Sequence, residues 1–267
     1  MGCVDVTRPH EQVALVTLNR PESRNAMNAE LIAGLWQAFD EIDEDRNCRV
    51  IILTGAGAGF CGGLDLKQGA TPANPYDVGR VQLAMMVQKS IADLVPRMRS
   101  MRQPIIAAVN GPAAGGGLAL ALASDIRIAA RSSKFNVAFV KVGVSGCDIG
   151  VSWLLPRLIG ASRAYEMMLT GRFVNPDEAL AMGLVVQVVD DDALLDAAMA
   201  EAEVILSNSP FGVQMTKEVM WSQLEIGSLQ AGIDLENRTQ LLASQTHDLA
   251  EAMRAFVEKR PPNFENR

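Results

Sequence analysis

Two stretches of the chain hold residue types and spacings that could do chemistry. Gly115-Gly116-Gly117 ends one apolar run and opens another. Three successive residues without a β-carbon therefore stand where the first unpaired N–H groups of a helix point outward, and a ligand oxygen can approach them closely. That is an oxyanion or anion site in outline, although a glycine run alone would equally let two helices pack tightly. Gly55-Ala56-Gly57-Ala58-Gly59-Phe60-Cys61-Gly62-Gly63-Leu64-Asp65-Leu66-Lys67 bares a second backbone. Ser145, Ser152 and Cys147 could add hydrogen bonds, but neither histidine, His10 nor His247, is near them in sequence, which argues against a Ser or Cys nucleophile.

The elements that would position these turns follow from periodicity. Pro104 to Val109 is a continuous apolar run, as in a strand covered on both faces; it breaks at Asn110-Gly111-Pro112 and resumes as an apolar helix from Gly117. Val13 to Leu18 reads as a strand. Asn28 caps a helix whose apolar positions Leu31, Ile32, Leu35, Trp36, Phe39 and Ile42 recur at helical spacing, and Arg49 to Leu53 is a second buried strand. Residues 68–79 read as a mobile polar loop and 81–102 as one long helix. Asp125 to Ala130 reads as a strand, Phe135 to Val144 as a short strand pair and Gly150 to Ile159 as helical. Beyond Ala161 helices dominate, over 163–169, 176–182, 191–207, 210–225, 228–243 and 246–258, with a strand at Val185 to Val189.

With 267 residues, 49% of them hydrophobic and 21% charged, the chain can form one large core with a small appendage. No apolar run approaches the roughly 20 residues of a membrane span and no signal-peptide pattern is legible, so the expectation is a cytoplasmic protein off the membrane. A net charge of −7 argues against a nucleic-acid surface. Cys3, Cys48, Cys61 and Cys147 are widely spaced, which suggests free thiols and no zinc site.

The ordered set Asn19-Arg20-Pro21, Asn25-Ala26-Met27, Ile52-Leu53-Thr54-Gly55, Phe60 to Lys67, Ala107 to Gly111, Gly115 to Gly117, Ser124-Asp125-Ile126-Arg127 and Leu155-Pro156-Arg157 resembles the crotonase (enoyl-CoA hydratase/isomerase) family, over about Val13 to Pro262. The resemblance implies an α/β fold, a spiral of strand-strand-helix units over 1–200 with a helical C-terminal trimerisation region over 201–267. It also implies a homotrimer or dimer of trimers, and a coenzyme A thioester as substrate with no separate cofactor. By the same resemblance the N–H groups of Leu64 and Gly116 hold the thioester oxygen, where fixed amides stabilise an enolate. Arg24 and Lys67, with Gly62, fall where family members hold the CoA phosphates and ribose, and loop 68–79 with helix 81–102 would line the acyl channel, with Met85 and Met86 in its wall. Lys217, Phe256 and Lys259 match positions packed around the nucleotide, the last two from a neighbouring subunit.

The sequence departs from the family at its acids. The paired glutamates of the hydratases fall at Ala119 and Phe139, which line the acyl site but cannot move a proton. The acid that remains is Asp148, at a position resembling the catalytic aspartate of some relatives. Surrounded by Phe139, Ile149 and Trp153 it would be desolvated, which favours its protonated form; alternatively it caps the next helix through the N–H of Gly150 or Val151. Asp65 and Asp125 read as structural caps. One acid with two amides suits proton transfer within an acyl-CoA, as in an isomerase, better than hydration. The alternative is an acyl-CoA-binding or scaffolding protein without catalysis.

Overall fold

The computed structural model describes residues 2–70 and 77–267. Six strands form the main sheet. β1 (Val4–His10) pairs antiparallel with β2 (Val13–Leu18), and β3 (Val50–Gly55) follows α1 (Ala29–Glu44) to lie parallel to β2. Asn28 caps α1 by accepting from the Leu31 N–H at 2.9 Å. The long helix expected over 81–102 is broken at Asp93 into α2 (Arg80–Ala92) and α3 (Leu94–Ser100). Most of the expected loop 68–79, residues 71–76, lies outside the described residues.

β4 (Ile105–Val109), β5 (Pro112–Ala114) and α4 (Gly116–Ala123) realise the central stretch. Next come β6 (Ile126–Ala130) and β7 (Lys134–Asn136); a 3-10 turn over Ala138–Val142 stands where a second strand was expected. Then follow α5 (Val151–Ile159), α6 (Ala161–Thr170), α7 (Pro176–Ala181), β8 (Gln187–Val189) and α8 (Leu194–Leu206), then α9 (Pro210–Gln223), α10 (Leu229–Ser244) and α11 (His247–Glu258). Main-sheet order is β1-β2-β3-β4-β6-β8, all parallel after the first pair.

The parallel strands are apolar throughout because both faces are covered. Ile51, Leu53, Ile105 and Ala107 join Leu31, Leu35 and Phe39 of α1 in one core, while Val50, Ile52, Ile106 and Ala108 join Leu194, Ala198 and Ala202 of α8 in the other. Three consecutive main-sheet strands are each followed by a short piece in a second layer: β3 leads to Cys61, β4 to β5 and β6 to β7. Cys61 bridges Ala113, and Ala113 pairs with Phe135. This repeated strand-strand-helix winding is the spiral expected from the sequence, and the helical C-terminal region is present as α9 to α11.

Candidate functional site

The two glycine turns meet because neither carries side chains between them. Gly63, with φ of 88°, packs so closely that a β-carbon there would sit 2.8 Å from the Ala114 carbonyl oxygen and 3.5 Å from the Gly116 nitrogen. A β-carbon on Gly117 would run into the carbonyl oxygen of Cys61. The glycines thus serve both purposes open in the sequence, tight packing at Gly117 and a bared backbone at Gly116. Met27 N donates to Gly63 O and Asp65 N to Met27 O, at 2.7 and 2.9 Å, so Leu64 between them directs its own N–H away from that ladder. Among the described residues the N–H groups of Leu64 and Gly116 have no acceptor.

Both open onto one cavity of about 550 Å³. Its wall is apolar, with Met27, Leu66, Ile91, Phe139, Val142 and Ile149 prominent, and its polar side chains are Gln88, Ser145, Cys147 and Asp148. Among the described residues Asp148 is the one carboxylate in the lining, and no Lys, Arg or His lines the space. Asp148 is half-buried, less enclosed than the sequence suggested. Phe139 and Ile149 share its cavity, but the Trp153 ring is taken up elsewhere, between the guanidinium groups of Arg99 and Arg157 at 4.7 and 3.7 Å. The Asp148 side chain does not cap α5, whose N-cap is Gly150; only its carbonyl accepts from the Val151 N–H. Its Oδ1 accepts instead from Gln88 Nε2 at 2.6 Å and from the Ile149 N–H at 2.9 Å.

The backbone beside it is unusual. Ile149 has φ of 47° and Gly150 φ of 76°, two consecutive residues in the left-handed region. For a β-branched residue that conformation is strained, and such strain collects where a side chain must be aimed.

The remaining expected residues fall into three groups. Gly62 lines the cavity, and Arg24, exposed, accepts the Gly62 N–H on its carbonyl at 2.9 Å; Lys67 is exposed one residue beyond Leu66. Ala119 is wholly buried in α4 and does not line the cavity, unlike Phe139, whose Cε1 would lie 3.3 Å from a β-carbon on Gly115. Phe256 is 85% exposed and Lys259 is exposed, both away from the cavity lining of their own chain.

Lys217 is a buried lysine with partners inside its own chain: its Nζ donates to Met98 O at 3.0 Å and Gln103 O at 2.8 Å and pairs with Asp125 at 2.9 Å. Met85 and Met86 are exposed and do not line the cavity; Gln88 and Ile91 of the same helix do. Gln88 escaped the sequence reading because a glutamine on a polar helix face gives no signal of its distant partner.

Asp65 and Asp125 act as the structural caps foreseen. Asp65 accepts from the N–H groups of Lys67 and Gln68, and these bonds, Gln68 first, together with Arg20, hold its carboxyl below the ordinary range. Asp125 accepts from the Ile105 N–H and Trp221 Nε1, both at 2.7 Å. Burial pushes the Cys61 thiol up to about 12, so it stays protonated under the Gly-rich loop.

A spiral of this kind, with two unpaired main-chain donors facing an apolar cavity, defines a site able to hold an oxygen that gains negative charge, and comparison with known proteins gives the family. The chain matches the family model described as Enoyl-CoA hydratase/isomerase over residues 8–267. It is 42% identical over 265 residues to a protein of Mycobacterium bovis named a probable enoyl-CoA hydratase, covering 99% of this chain and 93% of that one. It is 40% identical over 253 residues to the 1,2-epoxyphenylacetyl-CoA isomerase of Escherichia coli, covering 94% of each. The crystal structure of a probable enoyl-CoA hydratase/isomerase from Mycobacterium abscessus superposes with a TM-score of 0.93 at 39% identity, covering 99% of both chains. The chain belongs to the enoyl-CoA hydratase/isomerase family, the crotonase superfamily, and is an enzyme of that family.

Proposed function

We propose that this chain moves a proton within an acyl-CoA thioester, shifting a carbon–carbon double bond through an enolate, and does not add water. The observation that carries the reading is the cavity lining, which combines two unpaired amides, Leu64 and Gly116, with a single carboxylate, Asp148. On a 3-enoyl thioester, Asp148 takes a proton from C2 and the electron pair spreads onto the thioester oxygen. The Leu64 and Gly116 N–H groups stabilise that oxygen, each contributing about 3–4 kcal/mol in the transition state. Asp148 then returns the proton at C4, which leaves the double bond between C2 and C3. Hydration would need a second group to hold the water, and the hydrocarbon ring of Phe139 and the buried methyl of Ala119 occupy the places where the family's glutamates fall. The Escherichia coli relative is named an isomerase, which favours the same reading.

In this reading Arg24 and Lys67, exposed beside Gly62 and Leu66, hold the CoA phosphates, and no separate cofactor is required. Phe256 and Lys259 of a neighbouring copy complete the nucleotide site. A homotrimer or dimer of trimers built through 201–267 provides that neighbour, and Leu229, Leu241, Met253 and Val257, each at least 65% exposed on α10 and α11, supply apolar surface for it. Among the described residues no helix is long and apolar enough to cross a membrane; the cytoplasm is the proposed compartment.

The test is turnover of 2-trans, 3-cis, 3-trans and 2,5-dienoyl-CoA esters in D₂O, followed by mass spectrometry. Double-bond migration or deuterium exchange that disappears in Asp148→Asn while CoA-ester binding persists is the expected result. A product heavier by one water would refute the isomerase reading, and binding without any reaction would leave an acyl-CoA-binding protein.

A further inference from the structure

We infer that Gln88 is the positioning residue of Asp148, fixing which carboxylate oxygen exchanges the proton. This deepens the proposed function and rests on it only for the word proton; the geometry stands alone. Gln88 projects from α2 across the cavity and donates from Nε2 to Asp148 Oδ1 at 2.6 Å, while the Ile149 N–H donates to the same oxygen at 2.9 Å. Two donors converge on Oδ1. Oδ2 has no partner among the described residues, so it is the oxygen with lone pairs free toward the cavity. The left-handed Ile149-Gly150 pair turns the chain directly after this second donor, before α5 begins.

The two donors differ in kind. The Ile149 amide is tied to the same turn as Asp148 and moves with it. Gln88 sits sixty positions earlier, on a helix whose one buried residue is Ile91 and which is tied to α1 by the Trp36 Nε1–H donating to Ser90 O at 2.9 Å. Gln88 therefore sets the carboxylate against a frame outside its own loop. Among the described residues no cation lines the cavity that could take the place of Gln88 beside the carboxylate.

Gln88→Met keeps the length and removes the donor; Gln88→Glu replaces the donor with a like charge. Gln88 is exposed, so neither change threatens the fold. The first measurement needs no substrate: the ¹³C chemical shift of the Asp148 carboxyl carbon at neutral pH, assigned with Asp148→Asn. The expected result is a shift displaced from wild type in both variants, because Oδ1 loses one of its two donors. With the ester the panel identifies, kcat should fall about ten-fold in Gln88→Met with KM nearly unchanged. A merely structural role would leave both variants like wild type, because volume is kept; that result overturns the inference. If Asp148→Asn retains turnover, the proposed proton carrier is wrong whatever Gln88 does. If Asp148→Asn is inactive and both Gln88 variants keep the wild-type ¹³C shift and turnover, only the role of Gln88 falls.

Discussion

Arg20 donates from Nη1 to Asp65 Oδ2 at 3.0 Å, with the two side chains only 7% and 8% exposed. The same guanidinium donates to the Ala26 carbonyl and to Gln68, so a single arginine ties together the loop that ends in Met27 and the loop that presents the Leu64 amide. Arg20→Met keeps the apolar stem and leaves Asp65 without its cation. A lower Tm and a drop in kcat of more than about ten-fold are expected, since displacement of one amide by an ångström costs that much or more. The pH dependence has a definite sign. The Asp65 carboxyl is held below its ordinary value in the folded chain, so its contribution is complete above the ordinary carboxylate range and is lost as pH falls through the depressed folded value. With Arg20 gone the folded value rises, and acid unfolding followed by circular dichroism should begin at a higher pH than in wild type.

Side-chain size at Leu64 and Gly117 should matter in opposite ways. Leu64→Ala leaves the N–H in place, and kcat/KM is expected within about an order of magnitude of wild type. Gly117→Ala forces a β-carbon into the Cys61 carbonyl, which cannot yield because it accepts the Ala114 N–H at 3.0 Å. The added methyl should cost about 1–3 kcal/mol and separate the two amides, and it should abolish turnover in protein that still folds. Steady-state kinetics beside thermal melts distinguishes the two variants.

Lys217 makes three contacts to the chain's own interior, and burial lowers its pKa against the pull of Asp125. Lys217→Ala should destabilise the fold by about 3–5 kcal/mol, because Asp125 loses its buried partner. The affinity of the folded variant for a CoA ester, measured calorimetrically, should match wild type. A selective loss of affinity with unchanged stability would restore the nucleotide role suggested by sequence.

Glu251 anchors the C-terminal tail, accepting from Arg260 at 2.6 and 3.1 Å and from the Asn263 N–H at 2.9 Å. The Arg260 bonds first, then the Asn263 amide, hold its carboxyl down to about 2 from an ordinary 4.5. A depressed acid stabilises above its ordinary pKa and ceases to do so as pH falls toward the folded value. Protection of the tail amides, taken as the ratio of intrinsic to observed exchange rate, should therefore fall between pH 4.5 and about 2, and Glu251→Gln should flatten that dependence.

Much of the core was legible because its rules are local. Val13 to Leu18 forms β2 with the bounds expected, Asn28 caps α1, and the apolar run at 105–109 is the doubly covered strand it resembled. The errors share a physical cause, since each depended on what a residue meets far along the chain. The 3-10 turn at 138–142 follows from the backbone being drawn around the cavity rather than from β-propensity, and Lys217 looks like any surface lysine until Asp125 is seen beneath it. The mixed polarity of β1 hid an edge strand that is specified by pairing with β2. At the site, the glycines announced a bared backbone; the partner of Asp148, sixty residues away, did not announce itself.

The unengaged donors of Leu64 and Gly116 belong to the peptide links and not to any side chain. A codon change at Leu64, short of proline, leaves its N–H intact, whereas at Gly116 a β-carbon would meet Met27 Sδ at 3.1 Å. The Leu64 half of the oxygen holder is therefore shielded from most point mutations, whereas Gln88, Phe139, Cys147 and Asp148 around it can each be exchanged by a single substitution. Descendants of such a chain can trade one reaction for another while the feature that makes all of them feasible is inherited unaltered.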